Sequence, residues 1–223
     1  MIPGLKLDLA LRDRITANLA RLEVRKQDRK GSKHAAVAFT LVDCSEPAAI
    51  ANIPFRHQDC DQAAYILTTR ASKLSSHAGQ RAYPGGRVDP GETAEQAALR
   101  ELAEEVGLRL DPACIIGRLD DYATRSGFVI SPVVVWGGKD LSLTPNLGEV
   151  ERIHRVPLQE LLRDDAPILE SNDANEPPVL KMPLGDEWFA APSAAIAYQF
   201  REVALLGKTT RVAHFDQPYF AWK

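Results

Sequence analysis

Residues 85–108 read Gly85-Gly86-Arg87-Val88-Asp89-Pro90-Gly91-Glu92-Thr93-Ala94-Glu95-Gln96-Ala97-Ala98-Leu99-Arg100-Glu101-Leu102-Ala103-Glu104-Glu105-Val106-Gly107-Leu108. The opening tandem glycine and the following Pro90-Gly91 break regular helix, so this part reads as a loop. From residue 93 to 106 the run is rich in Ala, Leu and Glu, which favour helix. Gly107 stands where a glycine closes a helix in the left-handed conformation. A loop feeding a helix over 93–106 follows. On that helix Glu101, Glu104 and Glu105 fall at i, i+3 and i+4 and share one face.

Like charges at that spacing repel and destabilise a helix unless something neutralises them. Mg²⁺ prefers oxygen ligands and is held by one or two carboxylates together with waters and substrate phosphates. A solvated acidic face is the plainer alternative. Three neighbours favour the metal platform. Arg100 can hold a carboxylate bidentately. Glu92 sits near the helix start, where its charge suits the dipole and can pair with Arg100. Gly85 and Gly86 allow close backbone approach to a metal.

Working outward, Leu11, Ile15, Leu19 and Leu22 recur at helical spacing and predict an amphipathic helix over 8–24. The apolar, β-branched run 35–42 reads as a buried strand, and 64–69 as a second. Strands are expected at 115–122 and 128–136 with Ser126-Gly127 turning between them, and at 149–156. A short helix over 157–163 starts with Pro157 at its first position. Residues 164–178 read as a loop, 193–206 as a helix and 209–215 as a strand. The fold class is α+β. The expected division is an N-terminal helix and linker over 1–30, a central domain over 31–165, and a C-terminal extension over 166–223 packing on that domain.

The chain has 223 residues, 45% hydrophobic and 26% charged, as in ordinary globular proteins. Its formal net charge of −3 offers no bulk attraction for nucleic acid or a membrane surface. The three cysteines, Cys44, Cys60 and Cys114, are widely spaced, which fits a reducing compartment. No signal peptide or long apolar span is visible, so a cytoplasmic location is the expectation.

The pattern Gly86, five residues, Glu92, seven residues, Arg100-Glu101-Leu102, one residue, Glu104-Glu105, one residue, Gly107-Leu108 resembles the signature of the Nudix hydrolase family at every specified position. The resemblance implies an α/β/α sandwich around a mixed sheet. It also implies hydrolysis of a nucleoside diphosphate linked to another group X, with Mg²⁺ or Mn²⁺ as cofactor. Glu101, Glu104 and Glu105 would be metal ligands, and the first of them is the general base in some members. The Gly85 carbonyl would complete the shell. Arg100 would orient the catalytic carboxylates, while Gly86, Glu92 and Gly107 would be structural. Such metals neutralise the pyrophosphate and lower the pKa of a bound water.

Upstream, Leu67-Thr68-Thr69-Arg70-Ala71, Leu74, His77-Ala78-Gly79-Gln80 and Tyr83-Pro84-Gly85-Gly86 resemble the coenzyme A pyrophosphatase branch of that family. Later segments agree, among them Leu119-Asp120-Asp121-Tyr122 and Pro145-Asn146 through Glu149-Val150. The branch implies cleavage of coenzyme A or its derivatives to 3′,5′-ADP and (acyl-)4′-phosphopantetheine. Arg70, His77, Gln80 and Arg81 are the substrate-binding candidates, and Glu149 an additional ligand or base. Two departures stand out. Tyr83 replaces a Phe, and Ser75 falls where an Arg is usual, removing a cation that could pair with the 3′-phosphate. Arg81 or Lys73 would compensate. The alternatives are a Nudix hydrolase of another substrate (ADP-ribose, a dinucleotide, a nucleoside triphosphate) and a non-catalytic nucleotide-binding regulator. The aromatic run 214–222 must pack somewhere. Its own flank is the first expectation, a homodimer contact or acyl-chain wall the second.

Overall fold

The computed structural model describes residues 5–27, 31–46, 48–53, 61–73, 79–171 and 176–218. Strand β1 (Lys33–Asp43) lies at the centre of an eight-stranded sheet among the described residues. The other seven are β2 (Ala63–Arg70), β3 (Arg81–Ala82), β4 (Gly85–Arg87), β5 (Ile115–Arg118), β6 (Tyr122–Ala123), β7 (Phe128–Gly138) and β8 (Val150–Pro157). On one side β1 runs parallel to β7. On its other side it changes partner, pairing antiparallel with β4 at residues 35–37 and with β2 at residues 41–43. Strand β2 also pairs antiparallel with β3 and β8, while β5 and β6 pair antiparallel with β7. The sheet is therefore mixed.

Alternation along the strands splits the core into two layers. Phe39, Leu41, Tyr65, Leu67 and Val134 face helix α1 (Leu9–Ala20) and the C-terminal helix α3 (Ser193–Phe200), which contribute Leu11, Ile15, Leu19 and Phe200. Ala36, Ala38, Ala64, Ile66, Val133 and Val135 face helix α2 (Ala94–Val106), which answers with Ala97, Ala98, Leu102 and Val106. Small residues on both surfaces let α2 lie close to the sheet. The result is an α+β fold, an α/β/α sandwich around a mixed sheet, as the resemblance implied. A second sheet of β9 (Ile168–Glu170), β10 (Val179–Leu184) and β11 (Glu187–Ala190) precedes α3, ordered β11-β10-β9 and antiparallel throughout.

Several elements depart from the sequence expectation. The helix expected over 8–24 ends at Ala20, with Asp8 capping its start. The strand expected over 115–122 is two, β5 and β6. Between them Asp120 and Asp121 accept hydrogen bonds from the backbone N–H groups of Arg25 and Gln27, so their side chains tie down the N-terminal linker. Pro157 lies in β8 and precedes a 3-10 turn over Leu158–Leu162. The expected loop 164–178 contains β9. The helix over 193–206 is α3 followed by a π-helical turn, Arg201–Leu205. The expected strand 209–215 is irregular. Side chains there replace a ladder: Gln199 donates to the Thr210 carbonyl, and Arg211 to the Asp120 carboxylate and the Glu23 carbonyl. Of the aromatic run, Phe215 packs edge-on against Tyr198 at 6.1 Å, and residues 219–223 lie outside the described residues. No described helix is long and apolar enough to cross a membrane.

Candidate active site

Helix α2 is fixed at both ends. Thr93 and Gln96 form a reciprocal capping box, each side chain accepting the other's backbone N–H. At the C-terminus Gly107 takes φ of 73°, and its N–H bonds the Leu102 carbonyl. Two further helix carbonyls would be unsatisfied. Loop residues fill them: Thr144 N–H donates to the Val106 carbonyl and Asn146 N–H to the Glu105 carbonyl, each at 2.9 Å. The same loop then turns, with Glu149 N–H on the Asn146 carbonyl at 2.9 Å. Docking on the helix end thereby delivers the Glu149 side chain to the glutamate face of α2.

Glu101, Glu105 and Glu149 each present a carboxylate oxygen, and these oxygens all lie within 4.8 Å of one another. Glu101 and Glu105 are buried and Glu149 is exposed. Burial, the Glu101 charge and the Glu149 charge push the Glu105 carboxyl up to about 8, against the opposing influence of Arg70 and a hydrogen bond with the Gly85 backbone. Burial also raises Glu101, opposed by its bond to Arg100. Oxygens sharing one Mg²⁺ at about 2.1 Å stand about 3–4 Å apart. The spacing, the oxygen-only donor set and the unfavourable crowding of charge all fit a divalent cation.

Arg100 organises the surroundings. Its Nε and Nη2 donate to the two Glu92 oxygens at 3.0 and 3.1 Å. Nη1 donates to Glu101 at 2.8 Å and Glu104 at 3.2 Å, and Nη2 also to the Arg87 carbonyl at 2.9 Å. Those bonds use the full donor set of a guanidinium. They lower the Glu92 carboxyl below its ordinary value and orient Glu101. Glu104 lies outside the trio, exposed and on the Arg100 side. Gly86 explains itself by space: a Cβ there would stand 2.2 Å from Glu101 Oε1. A Cβ on Gly85 would strike the Ala36 carbonyl at 2.4 Å.

Beside this centre opens a cavity of about 660 Å³, reached through Arg70, Gly85 and Gly86. Gln80 and Arg81 also line it, and His77 lies outside the described residues. The Arg70 side chain has no hydrogen-bond or ion-pair partner among the described residues, its Nε is buried, and its charge acts on Glu105. Arg81 is engaged, with Nη1 on Thr69 Oγ1 and at 3.1 Å from His154 Nε2, and Nη2 on Glu187 at 3.0 Å. The opposite wall is the C-terminal region: Trp188, Phe189, Pro192 and Ile196. Sequence reading missed this wall. Its signal was the Gly185-Asp186 pair between two apolar runs, a hairpin turn.

A NUDIX domain model matches residues 47–174. The chain belongs to the Nudix family. Two proteins named "Uncharacterized Nudix hydrolase NudL" are similar in sequence. That of Yersinia enterocolitica is 33% identical over 133 residues, 59% of this chain and 60% of the relative. That of Photorhabdus laumondii is 41% identical over 132 residues, 59% of this chain and 62% of the relative. The matched span thus covers about three-fifths of the length of these curated relatives. Among solved structures, a MutT/nudix family protein from Enterococcus faecalis shares the fold, with a TM-score of 0.54 at 19% identity over 86% of this chain and 67% of that one.

Proposed function

We propose that this Nudix hydrolase cleaves the pyrophosphate of coenzyme A or its acyl derivatives with Mg²⁺ or Mn²⁺, releasing 3′,5′-ADP and (acyl-)4′-phosphopantetheine. The observation carrying the reaction is the carboxylate trio beside a cavity lined by Arg70, whose side chain has no hydrogen-bond or ion-pair partner among the described residues. The cavity's size suits a small-molecule ligand. Its apolar far wall suits the pantetheine arm, and the likeness of residues 67–86 to the coenzyme A branch points the same way.

Glu101, Glu105 and Glu149 would hold the metal, with Glu104 adding charge at the solvent edge of the helix face. When bound, the metal neutralises the diphosphate and lowers the pKa of a water. Arg70 binds a phosphate oxygen and fixes the diphosphate against Gly85 and Gly86. Arg100 keeps Glu101 in its rotamer. Water oxygen forms a new bond to phosphorus, and the bridging P–O bond breaks so that each product carries a phosphate. Glu149, the exposed member of the trio, accepts the water proton on the carboxylate oxygen it does not offer to the metal.

A second reading, hydrolysis of another nucleoside diphosphate derivative such as ADP-ribose, is favoured by one observation. Arg81 is already paired with Glu187, so a 3′-phosphate reaches it only by displacing that carboxylate, whereas a substrate without one leaves the pair as it stands. Incubation with Mg²⁺ and coenzyme A, acyl-coenzyme A, ADP-ribose, NADH and nucleoside triphosphates, with products identified by mass, decides. Cleavage of ADP-ribose alone overturns the coenzyme A reading. Cleavage of none supports a nucleotide-binding regulator.

A further inference from the structure

The Arg81 guanidinium is fixed from beneath and covered from above by unequal partners. Beneath it, His154 is buried, and its Nδ1 lies on the Ala48 carbonyl. A carbonyl only accepts, so Nδ1 carries the proton and Nε2 is an acceptor. That acceptor serves both the Thr69 hydroxyl at 2.7 Å and Arg81 Nη1 at 3.1 Å. Burial lowers the imidazole to about 4, so it stays neutral and keeps this role near neutral pH. Thr69 and His154 sit on the paired strands β2 and β8 of the main sheet. The floor under Arg81 is thus held by strand pairing and by the His154 bond to the Ala48 carbonyl.

The cover differs. Glu187 is the first residue of β11, an edge strand of the second sheet, and its side chain is 52% exposed against 19% for Arg81. An ion pair with a solvent-exposed partner is screened and contributes little. Arg and a phosphate can form paired charge-assisted bonds that are stronger. Both residues line the cavity, so a ligand there reaches Arg81 on the side Glu187 now occupies.

We propose that Arg81 is an anion site closed by Glu187, opened when a phosphomonoester on the substrate, separate from the pyrophosphate, displaces that carboxylate. The proposal rests on the reading of this cavity as the substrate site. It makes Glu187 a specificity-determining residue: substrates lacking the extra phosphate leave the pair intact, while those carrying it exchange one anion for another on a preformed cation.

The test uses binding without metal. Adenosine 3′,5′-bisphosphate and adenosine 5′-monophosphate are titrated into the wild-type protein, Glu187→Gln and Arg81→Gln, with thermal melts as a folding check. The expected wild-type preference for the bisphosphate is about tenfold. Glu187→Gln raises it at least threefold, because the internal competitor loses its charge. Arg81→Gln brings it to about one. A merely structural Arg81–Glu187 staple would shift the melts and leave the preference unchanged in both variants, and that result overturns the proposal. No preference in the wild-type protein overturns it too. Coenzyme A hydrolysis, measured separately, can fail while the preference stands, so the two readings fall independently.

Discussion

The Arg100 guanidinium and the Glu92 carboxylate meet through two parallel hydrogen bonds, Nε to Oε1 at 3.0 Å and Nη2 to Oε2 at 3.1 Å. They stand eight positions apart, spanning the loop-to-helix junction. The pair locks the guanidinium plane and so aims Nη1 at Glu101. Lysine offers a point charge and cannot reproduce the fork. Arg100→Lys is therefore expected to cost about 1–3 kcal/mol of stability. It should lower kcat at least tenfold with little change in KM. A variant with wild-type kcat would show that Glu101 holds its position without Arg100.

Adjacent glycines separate catalysis from folding. In Gly86→Ala the new Cβ collides with the Glu101 carboxylate, a side chain that can move. Loss of activity by at least about a hundredfold with a nearly unchanged Tm is expected, in the range seen when a catalytic group is misplaced. In Gly85→Ala the Cβ meets the Ala36 carbonyl and the Val37 backbone, which are held in β1. That variant should melt several degrees lower. Equal Tm losses in the two would contradict the division.

The buried Glu105 gives stability a pH slope. Its folded carboxyl titrates at about 8, against a reference of 4.5 in the unfolded chain. Folding favours the protonated form, so this contribution is fully present below about pH 4.5 and is lost as pH rises through about 8. Without metal, the Tm of wild type relative to Glu105→Gln should fall steadily between those limits and level off above. Parallel Tm curves for the two proteins would mean that Glu105 is not strained by burial. Metal binding needs the carboxylate form, so divalent affinity should rise over the same window and release protons.

Glu149 lies 44 positions beyond Glu105, outside the helix motif, yet its carboxylate joins Glu101 and Glu105. Glu149→Gln should weaken Mn²⁺ binding about tenfold or more, in line with loss of a ligand or its near partner. Unchanged affinity would leave the metal to the helix alone.

The parts legible in sequence are those with local causes. Helix α2 announced itself through composition, its start at Thr93 and its glycine stop, and the i, i+3, i+4 spacing placed the glutamates on one face. Buried strands β1, β2 and β7 read as apolar runs. The joining of Glu149 to the trio depends on loop 144–149 docking on helix carbonyls, a long-range event that spacing does not encode. The cavity's far wall was hidden for a different reason. Strand β10 contains Lys181 and Pro183, which blur alternation and argue against a strand. Sequence marks Arg81 as a cation for phosphate, but its pairing with Glu187 comes only from the hairpin's return across the sheet edge.

The most direct test of the carboxylate-metal account pairs two readings on one sample. Mn²⁺ is titrated calorimetrically into wild-type protein and Glu105→Gln, and the same preparations are assayed with coenzyme A and Mg²⁺. The account predicts that wild type binds the metal and yields 3′,5′-ADP and 4′-phosphopantetheine. Glu105→Gln should lose both properties while melting at or above the wild-type temperature, since a crowded buried carboxylate is gone. A Glu105→Gln protein that still binds Mn²⁺ and still turns over at near the wild-type rate would place the metal site elsewhere and contradict the account.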